Sequence, residues 1–369
     1  MWWKRWWVSL FVLLLGGLFF SACASPREQA RLPRVKAKEP SQGLVPQDFL
    51  CPGTDPKVGV DPQLAKEIQA FIAESRILVG APPGAQAQIP VVLNQPVKNY
   101  LKYFSGSGKA NFQASLARSG RYLPMMRRIL KKHGLPPELV YLALIESGFN
   151  PWARSPAEAV GPWQFIAGTA RRYGLKVNGQ VDERRDPEKS TRAAARYLKD
   201  LYRQFGCWYL AAAGYNAGEK RVEGAMRRSA SQDFWTLARQ RRLPKETCNY
   251  VPQFIAAALI ARAPQRYGFP KITYKRPLAY ETVKCPGGTD VRRFAKALQI
   301  SQKELRELNP ELNQWVTPTD QRAYLLKVPV QKGQKARRLA RVYWQMAKGP
   351  SSPGAEISAG RTGHKRFQR

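Results

Sequence analysis

The spacing of apolar residues along this 369-residue chain predicts a mainly α-helical protein. It has a helical N-terminal region, a central all-helical domain and a small α+β module behind them. Three observations carry this. Apolar residues between about 62 and 269 recur at the three- and four-residue intervals of one helix face. Prolines open and glycines close many of these runs, as helix ends require. Past Pro270 the pattern changes to a strand, two short helices and a second strand.

Residues 1–23 read as an export signal. Lys4 and Arg5 form a short basic region, and Val8 to Phe20 is an apolar run too short for a comfortable membrane span. Phe19-Phe20-Ser21-Ala22-Cys23 resembles a bacterial lipobox, with Cys23 as the lipidated residue and Phe20 where leucine is usual. The alternatives are ordinary cleavage near Ala24 or a retained membrane anchor. Residues 24–61 are rich in Pro, Gly, Lys and Arg without periodicity, and read as a disordered tether. A helical N-terminal region, 62–121, follows. Its helices are expected over Pro62–Ile77, Val97–Phe104 and Asn111–Gly120.

The central domain is expected over 122–272. Tyr122 to His133 is a helix, and Pro136 and Pro137 then open the buried, all-apolar run Leu139–Ile145. Glu146 ends that run, and Gly148 and Pro151 stop it. Pro162 is expected to start a further helix that Gly174 ends. Asp186–Gly206, Trp208–Tyr215 and Tyr250–Ala261 complete the set.

Residues 273–330 form the α+β module. Tyr280–Lys284 alternates as a strand, and Asp290–Leu298 is a helix with Thr289 as its N-cap. Ser301-Gln302-Lys303-Glu304 is a capping box that opens a second helix, and Tyr324–Val330 is the second strand. This order resembles a degenerate LysM module, a fold that binds N-acetylglucosamine-rich glycans; a purely structural lobe is the alternative. Residues 331–369 carry about ten basic residues against one acid and read as a disordered tail.

The chemistry is bounded by what is scarce. The two histidines, His133 and His364, leave too little material for His-Glu zinc sites or Ser-His-Asp triads. No glycine-rich phosphate loop opens a helix after a strand. No cofactor or metal is expected. The net charge of +35 favours anionic partners, but no nucleic-acid-binding motif accompanies it, and the basic residues are spread along the whole chain. Glu146 is the candidate for catalysis, with a glutamate solvated at the surface as the alternative. A carboxyl at a buried helix C-terminus has its ionised form disfavoured by the helix dipole and by desolvation. Both raise its pKa, as a general acid working near neutral pH requires.

What surrounds Glu146 in sequence sharpens this reading. Ala143-Leu144-Ile145-Glu146-Ser147-Gly148-Phe149-Asn150-Pro151 is followed by Ser155 to Ile166, with Gly161-Pro162-Trp163-Gln164-Phe165 inside it. Then come Gly214-Tyr215-Asn216-Ala217-Gly218 and Glu246-Thr247-Cys248-Asn249-Tyr250-Val251. In order, spacing and residue type these motifs resemble the soluble-lytic-transglycosylase-like, or goose-lysozyme-like, domain of bacterial peptidoglycan lyases. The resemblance runs from about Gln95 to about Val330 and departs at Gly214, where the family more often has alanine. It implies a lysozyme-like catalytic domain. Glu146 would be the single acid and base that cleaves the bond between N-acetylmuramic acid and N-acetylglucosamine, leaving a 1,6-anhydro product without water. Ser155, Gln164, Tyr215, Asn216 and Tyr250 would bind substrate, with the Tyr250 hydroxyl approaching Glu146. Phe149 and Trp163 are expected in the core rather than against sugar. The implied partners are peptidoglycan glycan strands and, through Cys23, a membrane facing the periplasm, with the chain acting as a monomer and binding no nucleic acid. A hydrolytic muramidase and a non-enzymatic peptidoglycan-binding lipoprotein are the competing functions. Cys207 and Cys248 bracket the Tyr-Asn-Ala-Gly motif. They are expected as a disulfide, with free buried thiols as the alternative.

Overall fold

The computed structural model describes Ile89 and residues 91–347. The export signal with Cys23, the tether with Cys51, the helix expected over Pro62–Ile77 and the end of the tail with His364 lie outside the described residues.

Among the described residues, ten α-helices precede the first strand. They are α1 Gln95–Ser105, α2 Lys109–Ser119, α3 Leu123–Lys132, a 3-10 turn at Pro137–Val140 leading into α4 Tyr141–Ser147, and α5 Ala167–Arg172. After these come α6 Pro187–Phe205, α7 Trp208–Ala217, α8 Glu219–Ser229, α9 Phe234–Arg239 and α10 Lys245–Arg262. Their ends follow local chemistry. The Asp186 carboxylate accepts from the N–H groups of Glu188 and Lys189 and caps α6, while Gly206 ends it in a left-handed conformation. The same device ends α4, where Gly148 has φ 58°.

Helices α1 to α10 share one core, running from Val97 to Ile272. Val97, Phe112 and Leu116 are buried in it, so α1 and α2 pack into the same helical unit as the central helices rather than forming a separate N-terminal region. Helix α10 is buried along most of its length and packs against α1, α4 and α7. Phe149 and Trp163 are fully buried, as expected. The helix expected from Pro162 starts later. Val160 and Phe165 bridge, Gln164 takes φ 49°, and the helical turn begins only at Ala167. Gly214 sits where an added Cβ would lie 2.8 Å from a ring carbon of Phe205 and 2.9 Å from a methyl of Leu201. Glycine therefore lets α7 approach α6 closely.

The second lobe has its own core. Strands β1 Tyr280–Pro286 and β2 Ala323–Pro329 pair antiparallel, with Val283 opposite Leu326. Helices α11 Val291–Leu298 and α12 Gln302–Leu308 lie between them in sequence. The N-cap of α11 is Asp290, which accepts from the N–H groups of Arg292 and Arg293, and not Thr289. Thr289 is buried, and its hydroxyl donates to the Pro286 carbonyl at 2.8 Å. Ser301 caps α12 as expected.

The expectation of a disordered tail from 331 is wrong over its first part. Gly333–Ala347 forms α13, packed on β1. Ala336 and Ala340 are buried, Arg337 pairs with Glu281 at 2.6 Å, and the Trp344 indole donates to the Lys284 carbonyl. The basic residues masked an amphipathic helix whose small residues face the sheet.

The lobes are joined through buried polar groups. Val181, in a loop of the first lobe, sits in the second core and bridges Leu312. Lys327 Nζ, on β2, lies 2.5 Å from Asp186 Oδ2 and 3.7 Å from Glu311 Oε1. The Tyr324 hydroxyl donates to Glu311 at 2.7 Å, and the Tyr280 hydroxyl donates to Glu188 at 2.5 Å.

Candidate active site

Glu146 is the penultimate residue of α4. The turn beyond it is held rigidly. The Gly148 and Phe149 N–H groups donate back to α4 carbonyls, and Arg118 donates to the Gly148 carbonyl at 2.5 Å. The Ser147 hydroxyl donates to the Pro162 carbonyl at 2.8 Å and accepts from the Asn150 N–H. Phe149 takes φ 60°, a conformation costly for a phenylalanine, and its fully buried ring offsets that cost.

The Tyr250 hydroxyl donates to Glu146 Oε1 at 2.6 Å. Burial pushes the Glu146 carboxyl up to about 7 and outweighs the Tyr250 bond, which pulls it down; the charge of Glu246 adds to the rise. Near neutral pH the group is therefore poised to give and take a proton. Tyr250 itself is held well above the usual tyrosine range, first by burial and then by the Glu146 charge, so its hydroxyl keeps its proton.

The other expected site residues stand at different distances from this centre. Tyr215 is close enough for the Glu146 charge to add to the burial that raises its pKa. Its hydroxyl is spent on the Trp163 carbonyl at 2.7 Å. Asn216 donates through Nδ2 to Glu246 Oε1 at 3.1 Å and accepts from the Thr247 hydroxyl at 2.8 Å. It thus holds the first turn of α10 against the end of α7. Gln164 and Ser155 serve the loop between α4 and α5. Gln164 Nε2 donates to the carbonyls of Gly161 (2.8 Å) and Ala153 (3.3 Å). Ser155 Oγ accepts from the Ala159 N–H. The buried Arg184 guanidinium ties down the same loop through the carbonyls of Glu158 and Phe165. Gly161 is obligatory there, since a Cβ would fall 1.9 Å from the Arg184 carbonyl oxygen.

Glu246 escaped the sequence reading. It precedes Tyr250 by four residues, one turn on the same face of α10. That spacing was the available signal. The expected Cys207–Cys248 disulfide is not formed. Cys248 is a free thiol that donates to the Leu243 carbonyl at 3.5 Å, and Cys207 is bonded elsewhere. Bracketing a motif in sequence does not bring two Cβ atoms within bridging range. Among the described residues, no group of three His, Cys, Asp or Glu side chains could hold a metal ion.

Residues 125–238 match the family described as Transglycosylase SLT domain, and residues 279–342 match the LysM-like domain of lytic transglycosylase MltD. Over these two stretches, in this order, the chain is similar to an SLT domain and to a LysM-like domain of lytic transglycosylases. Among curated proteins it is 38% identical over 197 residues to membrane-bound lytic murein transglycosylase D of Escherichia coli K12. That alignment covers 52% of this chain and 43% of the relative, so the chain spans less than half the relative's length. It is 33% identical over 94 residues to membrane-bound lytic murein transglycosylase C of Photorhabdus laumondii, covering 24% of this chain and 26% of that one. The crystal structure of the 70 kDa soluble lytic transglycosylase SLT70 from Escherichia coli superposes with TM-score 0.34 at 26% identity, over 42% of this chain and 26% of that one.

Proposed function

We propose that this chain is a peptidoglycan lytic transglycosylase with Glu146 as its single acid and base. The observation that carries the reading is the half-buried Glu146 carboxyl, poised near pH 7 and bonded by Tyr250. In the first step protonated Glu146 gives its proton to the glycosidic oxygen as the bond from the muramoyl anomeric carbon breaks. The N-acetylglucosamine side leaves as an alcohol. In the second, the C6 hydroxyl of the muramoyl residue attacks the anomeric carbon and its proton passes to the Glu146 carboxylate. The product is a 1,6-anhydro sugar and the enzyme returns to its starting state. The substrate acetamido group supports the oxocarbenium-like charge, which two-carboxylate glycosidases stabilise with a second acid. Tyr250 steadies the carboxylate between the steps. The opposed influences of Tyr250 and Glu246 keep it usable in both directions.

Mass spectrometry of fragments released from purified sacculi tests this. Anhydromuropeptides are expected from the wild type and none from Glu146→Gln. Reducing ends that take up oxygen from isotope-labelled water would make the enzyme a hydrolase instead.

The relatives named above are membrane-bound by their names, which associates this group of proteins with the cell envelope. The finer address proposed here is a lipid anchor at Cys23, at the outer membrane, facing the periplasm. A Cys23→Ala chain that fractionates like the wild type would reject it.

A further inference from the structure

An alternating stack of guanidinium and indole groups crosses from one lobe to the other. Arg185 lies 5.5 Å from the Trp152 ring centroid and Arg306 lies 5.2 Å from the same ring. Arg306 is also 5.1 Å from the Trp315 ring, and Arg292 is 5.3 Å from it. All four contacts fall inside the range of cation–π attraction. Arg185 and Trp152 belong to the first lobe, whereas Arg292, Arg306 and Trp315 belong to the second. The order is therefore Arg185, Trp152, Arg306, Trp315, Arg292, with Arg306 shared between two rings.

None of these three arginines pairs with a carboxylate of the described residues. Arg121, Arg184 and Arg337 each do. Arg185 donates to the Asn313 side chain at 3.1 Å, and its buried Nε has no partner. Burial, then the charges of Arg185 and Arg292, pull the Arg306 pKa below its usual value, and Glu311 alone opposes them. Three like charges held this close repel one another, and each indole contact is only a weak attraction at an exposed site. An anion would relieve that repulsion. A stacked guanidinium still has its N–H edge free, and that edge matches a carboxylate.

We propose that this stack is a binding stripe for the carboxylates of the peptide-bearing glycan strand, lying outside the catalytic centre. The location favours that occupant. Trp152 is 40% exposed and follows the last residue of α4 by five positions. The neighbouring Ala153 carbonyl accepts from both Gly161 and Gln164, so the stack begins on the loop that adjoins Glu146. The proposal rests on the peptidoglycan reading above and adds to it a charge-reading element that also explains how the second lobe engages substrate.

The test compares the full-length Glu146→Gln protein with the same protein carrying Arg292→Gln and Arg306→Gln, so that binding is read without cleavage. Cosedimentation is measured at one moderate salt concentration with native sacculi and with sacculi whose carboxylates have been chemically amidated. The stripe predicts that the starting protein prefers native sacculi by about tenfold or more, the scale of one charge-assisted hydrogen bond. The double substitution should erase that preference, and Arg306→Lys should restore part of it. In an otherwise wild-type chain the double substitution should leave cleavage of short peptide-free glycans unchanged. An undiminished preference in the double variant overturns the proposal, and so does a lowered melting temperature with unchanged preference, which makes the stack a glue between lobes. A larger loss of binding to phosphatidylglycerol vesicles than to sacculi also overturns it and points to a membrane. Failure of the wild type to cleave any glycan would instead sink the proposed activity, and the binding comparison would still decide the stripe.

Discussion

Glu146 and Asp186 are both carboxyls withdrawn from water, yet they end in opposite states. Burial raises Glu146 to about 7, because its near neighbours are a neutral tyrosine and a second carboxylate, Glu246. Burial pushes Asp186 up as well, but the Lys327 ammonium and the Lys189 N–H overcome it and hold the carboxyl below its usual value. Lys327 in turn is pulled down by burial and raised further by Glu311 and Asp186, so the pair stays ionised. Desolvation is common to the two sites, and the counter-charge differs. Without one, the carboxyl keeps its proton up to near neutral pH; with one, it becomes part of the joint between the lobes.

The comparison is broken most directly at its catalytic side. Glu146→Gln should lower sacculus cleavage by about 10³-fold or more, the upper range for one acid–base group. The fold, followed by circular dichroism, should stay intact. Its stability should also lose a pH dependence. The raised pKa means that Glu146 favours the folded state below its unfolded value of 4.5, and that this contribution disappears as pH rises through about 7. Denaturant titrations at pH 5 and pH 8 should therefore differ by up to about 3 kcal/mol less in the variant. Asp186 has the opposite sign: its contribution is present above its unfolded pKa and disappears as pH falls through the lowered folded value.

The structural side is broken at Lys327. Lys327→Met leaves Asp186 and Glu311 buried without their cation, and should cost about 3–5 kcal/mol in urea unfolding. A loss below about 1 kcal/mol would mean that water already screens the cluster.

Two smaller changes sharpen the contrast. Tyr250→Phe removes the bond that favours the ionised carboxylate. Cleavage should fall about tenfold, and the basic limb of the pH–rate profile should move upward. An unmoved limb would mean that Tyr250 only packs. Glu246→Gln keeps an oxygen for Asn216 and deletes the charge that helps raise Glu146. The basic limb should then move downward, by less than about one pH unit.

Much of the fold was legible because helix ends are written locally. Asp186-Pro187, Gly148, Gly206 and Ser301 act within one turn of themselves. Where local signals competed, the reading slipped. Thr289 and Asp290 are both capable caps, and packing of Thr289 into the interior decided for Asp290. Pro162 is a plausible helix start, yet the Val160–Phe165 bridge delays the helix. The basic composition of 333–347 suggested a tail, but the underside of α13 is alanine against a sheet that the sequence places some fifty residues earlier.

The sequence by itself singled out the carboxyl proposed for the chemistry, since an apolar helix ending in Glu146 and a glycine stop places that carboxyl at a helix end. Motif order added Tyr250, Tyr215 and Asn216. Only the tertiary structure decided how each charged group is balanced. Tyr250 reaches Glu146 across 104 positions, and Lys327 reaches Asp186 across 141. Glu246 acts on Glu146 through space, and Cys207 passes over Cys248 for another partner. The reason is physical. Helix and cap signals are energies of adjacent peptide groups, readable in any window of a few residues. Desolvation and counter-charge are energies of neighbours brought together by packing, and these hold one withdrawn carboxyl protonated up to near neutral pH and make the other a joint.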